Sequence, residues 1–138
     1  MKVSVYTDGG SRGNPGPSGF GVVVSDDNNR PITQISKYIG VATNNESEYS
    51  ALVEALSWLR DNVSTLDITD VVFYADSQLL VRQMQGKYKV KAPNIIPLYT
   101  KASTILKSLN ISYNFRDIPR DQNSLADELA NQAMDRKS

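Results

Sequence analysis

Four acids are placed where they could share a cation: Asp8, Glu48, Asp76 and Asp127. Asp8 follows a strand-like run around Val3, Val5 and Tyr6, and Asp76 closes the apolar run Val71-Val72-Phe73-Tyr74-Ala75. If these runs are neighbouring strands, both carboxylates lie at the carboxyl edge of a sheet, where open α/β sheets build their sites. Glu48 precedes Leu52 by four residues and Leu56 by eight, so it projects from the edge of a buried helical stripe and can point to the same edge. Clustered carboxylates repel one another unless a hard cation neutralises them, and oxygen-only ligands favour magnesium or manganese. Two such ions about 4 Å apart could activate a water on one side of a phosphodiester and stabilise the leaving oxygen on the other.

Each acid also has an ordinary structural reading. Asp8 could be a turn residue, and Asp76 could cap the helix after it. Glu48 and Asp127 could be the third residues of capping boxes begun by Asn45 and Ser124. Composition narrows the chemistry from the other side. The 138 residues contain no cysteine and no histidine. That excludes disulfides, zinc sites of the usual ligand sets, Ser/His/Asp triads and thiol nucleophiles, and leaves carboxylates and hydroxyls.

Fifteen basic and fifteen acidic residues give no net charge, but their distribution is uneven. From Leu79 to Arg116 there is no acid, while Arg82, Lys87, Lys89, Lys91, Lys101, Lys107 and Arg116 are basic. A basic flank beside an acidic cluster suits a metal-dependent enzyme on a polyanion; a solvated surface is the plainer alternative. No run approaches the roughly 18 apolar residues of a membrane span, and no leader segment opens the chain, so a cytoplasmic protein is expected.

The elements that would position the acids can be read from periodicity. Val3, Val5 and Tyr6 begin a first strand, and Asp8-Gly9-Gly10 through Gly13-Asn14-Pro15-Gly16-Pro17 reads as a turn-rich loop. Phe20 to Ser25 and Ile32 to Ile39 read as the second and third strands of an antiparallel meander. Tyr49, Leu52, Val53, Leu56, Leu59 and Val63 recur at helical spacing. The run at Val71 predicts a central strand covered on both faces. Leu79 to Met84 suggests a short helix ending at Gly86, and Leu98, Ala102, Ile105 and Leu109 another starting at Pro97. Ile111, Tyr113 and Phe115 alternate as a fifth strand, and a last helix runs on from Ser124. The order βββαβααβα implies an α/β fold, a five-stranded mixed sheet flanked by helices, in one domain over residues 1–138.

Several segments together resemble the motifs of type 1 ribonuclease H: Tyr6-Thr7-Asp8-Gly9-Gly10 with Gly13-Asn14-Pro15-Gly16-Pro17, Thr43-Asn44-Asn45 leading to Glu48, Asp76-Ser77-Gln78, and Asn123 with Ala126-Asp127-Glu128-Leu129-Ala130. They occur in the family's order and span nearly the whole chain. The resemblance implies the ribonuclease H-like fold and endonucleolytic cleavage of the RNA strand of RNA/DNA hybrids, leaving 5′-phosphate and 3′-hydroxyl ends. It implies Asp8, Glu48, Asp76 and Asp127 as ligands of two Mg2+ ions, with Mn2+ as a substitute. Asn14, Asn45 and Gln78 match positions that approach the RNA strand through the minor groove, where 2′-hydroxyls distinguish RNA from DNA. Thr43 matches a position that grips a DNA-strand phosphate.

The chain departs from the family pattern twice. Gly86-Lys87-Tyr88-Lys89-Val90-Lys91 is a short substitute for a longer basic protrusion, and no histidine stands in the loop before Asp127. The second departure is similar to a compact, histidine-lacking subgroup, some members of which also cut double-stranded RNA. Arg120 lies in that loop, where it could grip the scissile phosphate or aid product release; surface pairing with Asp121 or Asp117 is the alternative. Lys87, Lys89 and Lys91 are candidate phosphate contacts. No obligate protein partner is expected, so the reading is of a monomer. The rival readings are a catalytically weak or inactive hybrid-binding module of the same fold, and an ATPase or sugar kinase sharing the sheet order.

Overall fold

The computed structural model describes residues 1–137. Strands β1 (Lys2–Ser11), β2 (Gly16–Asp26) and β3 (Pro31–Ala42) form the antiparallel meander, while β4 (Asp70–Ala75) and β5 (Ser112–Asp117) run parallel to β1, giving the order β3-β2-β1-β4-β5. Helices α1 (Asn44–Asn62), α2 (Gln78–Met84), α3 (Ile96–Ser108) and α4 (Ser124–Arg136) complete the predicted order, with a 3-10 turn at Arg120–Gln122 before α4. Among the described residues no helix is long and apolar enough to cross a membrane.

Side chains alternate across a sheet, so odd residues of β1 and even residues of β2 share one face. Val3, Val5, Phe20, Val22 and Val24 on that face pack with Leu52, Leu56 and Leu59 of α1 and with Ile105 and Leu106 of α3. On the other face, α4 lays Ala126 and Leu129 against Val23 and Tyr6. Burial in β4 alternates rather than covering both faces: Val71, Phe73 and Ala75 are buried, whereas Val72 and Tyr74 are half-exposed. Tyr74 instead stacks on Tyr6 across the β1–β4 pair, at 4.8 Å between ring centroids.

Some boundaries differ from the sequence expectation for local reasons. β1 does not end at Asp8 but continues to Ser11, because Gly9 and Gly10 pair with Phe20 and Gly19 of a β2 that starts early, at Gly16. α1 begins one residue after Thr43, not at Asn45: the Thr43 hydroxyl accepts from Glu46 N at 3.1 Å, and the Glu46 carboxylate accepts from Thr43 N at 2.9 Å. α3 starts at Ile96, one residue before Pro97. In β5 the alternation of Ile111, Tyr113 and Phe115 does not mark a buried face, since only Phe115 is buried on this edge strand.

Candidate active site

All four structural readings of the acids are overturned. Asp8 lies within β1, paired with Gly21, and forms no turn. Glu48 is outside the capping box, which uses Thr43 and Glu46. Ser77, not Asp76, caps α2 by accepting from Leu80 N at 3.2 Å. Asn123, not Ser124, is the N-cap of α4, and no side chain closes a box with Asp127. The four carboxylates are left free of local duties.

They come together because α1 approaches β1, and α4 approaches the neighbouring β2, very closely. A Cβ added to Gly9 would stand 2.4 Å from the Ser47 carbonyl carbon and 2.5 Å from Glu48 N, so only glycine lets the first turn of α1 lie against the strand beside Asp8. Gly21, opposite Asp8, does the same for α4, where a Cβ would be 2.3 Å from the Ala126 carbonyl oxygen. Asp76 arrives from the end of β4. The result is a cleft of about 400 Å³ lined by Asp8, Glu48, Asp76 and Asp127 together with Arg12, Asn44, Arg120 and Asn131.

The electrostatics are those of crowded anions. Burial, then the charge of Asp76 and contacts with Asp127 and Glu48, push the Asp8 carboxyl up to about 8. A protonated Asp8 can donate to Asp127, with which it shares a hydrogen bond. Burial raises Glu48 to about 7, opposed by a hydrogen bond from Ser77 and assisted by Asp76. Asp76 is also raised, chiefly by burial, against the opposing effects of an Asn123 hydrogen bond and the Arg120 charge. A divalent cation is the group that would relieve all of these at once, and an all-oxygen donor set suits Mg2+ or Mn2+. The side chains line the walls rather than already enclosing a point: among the described residues no three converge in ligating geometry. The donor chemistry and mutual repulsion fit such a cation.

Arg120 pairs with neither Asp121 nor Asp117. Its guanidinium reaches Asp127 at 3.3 Å, supplying positive charge within the cleft, and its side chain is 78% exposed. The other predicted binding residues lie around the cleft rather than in it. Asn14 is exposed, and its side-chain oxygen accepts from Asn44 N at 3.1 Å, tying the β1–β2 turn to the start of α1. Thr43 is the cap of α1, and Asn45 lies beside Glu48 in a small adjacent pocket. Gln78 shares a second depression with Asp76, Asp117 and Arg120. Lys87, Lys89 and Lys91 are exposed between α2 and α3 and do not line the cleft. Sequence reasoning assigned no role to Arg12, Asn44, Ser77 or Asn123. Arg12 had a signal, being the one basic residue between Asp8 and Asp26.

Comparison with known proteins agrees with this architecture. The family described as Reverse transcriptase-like matches residues 6–133. LC11-RNase H1, isolated from compost by a metagenomic approach and solved in complex with RNA/DNA hybrid, is 44% identical, with a TM-score of 0.93 over 98% of each chain. RNase H1 from the halophilic archaeon Halobacterium salinarum is 33% identical, with a TM-score of 0.87 over 98% of each chain. Bifunctional protein Rv2228c of Mycobacterium tuberculosis is 42% identical over 136 residues, which cover 98% of this chain and 36% of the relative. The chain thus spans about a third of the length of its mycobacterial relatives. With its five-stranded mixed sheet, four helices and ordered motifs, the chain belongs to the type 1 ribonuclease H family.

Proposed function

We propose that this chain is a single-domain endoribonuclease that hydrolyses the RNA strand of RNA/DNA hybrids, leaving 5′-phosphate and 3′-hydroxyl ends. The observation that carries this reading is the convergence of Asp8, Glu48, Asp76 and Asp127, from β1, α1, the end of β4 and α4, on one cleft where their charges are mutually unfavourable. These four residues would hold two Mg2+ ions, with Mn2+ able to replace them. When bound, the ions supply the positive charge that favours an attacking water and a departing oxygen on opposite sides of a phosphodiester.

The remaining steps belong to the chain's own residues. The exposed guanidinium of Arg120 is free to exchange Asp127 for a substrate phosphate with paired hydrogen bonds. It cannot shuttle a proton, so its role is to position the phosphate or release the product. Asn14, Asn45 and Gln78, all exposed around the cleft, are suited to 2′-hydroxyl and base-edge contacts in a wide minor groove. Thr43 would hold a DNA-strand phosphate, and Lys87, Lys89 and Lys91 would add sequence-independent grip on the backbone. We place this work in the cytoplasm, by a monomer.

One gel tests the proposal. Labelled RNA/DNA hybrid, double-stranded RNA and DNA duplex are incubated with the protein in Mg2+ or in EDTA. Cleavage of the hybrid RNA in Mg2+ alone is expected, and cutting of the second substrate would extend the range to double-stranded RNA. Hybrid binding without cleavage would replace the proposal with an inactive binding module.

A further inference from the structure

Asn123 is 2% exposed and sits at the junction of three elements that carry candidate ligands. Its side-chain Nδ2 donates to the Thr7 carbonyl at 2.9 Å, immediately before Asp8 in β1. The same side chain also acts on the Asp76 carboxylate at the end of β4, opposing the burial that raises it. Its own carbonyl accepts from Asp127 N at 3.1 Å in the first turn of α4.

An asparagine at a helix N-cap ordinarily directs its side-chain oxygen to a backbone N–H two or three residues on. Asn123 makes no such bond, and its Oδ1 is buried without a hydrogen-bond partner. Buried polar groups are rarely left unpaired, so the orientation needs a reason. The alternative amide orientation would bring Oδ1 against the Thr7 carbonyl, two acceptors together. The amide therefore turns its donors toward β1, beside Asp8, at the expense of the helix cap.

We propose that Asn123 is a positioning residue that fixes Asp76 relative to Asp8 and Asp127 so that the three can bind a common divalent cation. This rests on the metal-dependent reading above. The residue touches no substrate; it acts through the acids. Supporting shells of this kind commonly change metal affinity by about 10–100-fold when removed.

Asn123→Ser separates positioning from folding, because serine is itself a good N-cap but has no amide to reach Thr7 and Asp76. Mn2+ binding is measured by calorimetry on wild type and variant, with thermal unfolding in EDTA alongside. The expected result is a folded variant whose Mn2+ dissociation constant is weaker by about tenfold or more. Its cleavage should need correspondingly more Mg2+ while recovering at saturation. Asn123→Ala, titrated at low temperature, provides the same reading if the serine variant unfolds. Wild-type Mn2+ affinity in a folded variant would overturn the inference while leaving the metal-site reading intact. Absence of Mn2+ binding by wild type would overturn both.

Discussion

The two faces of the sheet are packed by different means. Toward α1 and α3, large apolar side chains such as Leu52, Leu56, Leu59, Ile105 and Phe73 form a continuous core. Toward α4 the contact is made by Ala126, Ala130 and Ala133 against glycines, and the side chains between backbone and backbone are nearly eliminated. The first arrangement buries apolar area, which is where folding free energy is gained. The second gains little area but sets the distance between Asp8 and Asp127 with small tolerance, because neither Gly21 nor Ala126 has a side chain that can adjust. Most apolar burial thus lies on the α1 face, while the tolerance at Asp127 is set on the α4 face, with Gly9 fixing the approach of Glu48.

Substitutions can separate the two. Leu56→Ala, fully buried on the α1 side, should lower stability by about 2–5 kcal/mol in urea unfolding. Cleavage per folded molecule should remain close to wild type. Gly21→Ala should destabilise by about 1–3 kcal/mol through overpacking against Ala126 and Leu129. In contrast to Leu56→Ala, its folded fraction should lose activity, about a hundredfold for a displacement of an ångström or so. Equal activity losses in the two variants would erase the distinction between the faces.

Arg120→Ala probes the cleft without touching either packed face. Its exposed pairing with Asp127 is worth about 0–1 kcal/mol, so stability should hardly change. Turnover should fall by more than about tenfold, equivalent to about 1.4 kcal/mol of transition-state interaction. Full turnover would remove Arg120 from the proposed machinery, and complete rescue by Arg120→Lys would show that a point charge suffices.

The acids themselves should make metal-free stability depend on pH. Because the folded protein raises Asp8 to about 8 and Glu48 to about 7, it favours their protonated forms. Their stabilising contribution is complete below the ordinary carboxylate range and is lost as pH rises through those values. In EDTA the Tm should therefore drop by a few degrees from about pH 5 to 8, by this linkage. Mg2+ should restore it at the upper end, and Asp8→Asn should flatten the profile. A wild-type Tm that rises over this range in EDTA would contradict the assigned charge crowding.

Much of this architecture was legible because strand and helix periodicities follow burial, as at Leu52, Leu56 and Leu59. The order of elements and the four acids could be read the same way, helped by motifs in a fixed order. Cap chemistry was ambiguous: Thr43 and Asn45 are both good cap residues, and so are Asn123 and Ser124, and the local backbone decides between them. Gly9-Gly10 reads as a turn in one dimension but is strand in three, since its purpose is to admit α1 rather than to reverse the chain. Asn123 was visible only as part of a motif. Its contact with Thr7 joins residues 116 positions apart, which no local pattern records.

The central claim is that the four carboxylates in the cleft carry the chemistry. Asp76→Asn removes one anionic ligand while keeping size and shape. Single-turnover cleavage of the RNA strand in a hybrid, in saturating Mg2+, compares it with wild type. A rise of several kcal/mol in the barrier, a rate lower by about a thousandfold or more, is expected with hybrid binding largely retained. Cleavage within about tenfold of wild type would contradict the account.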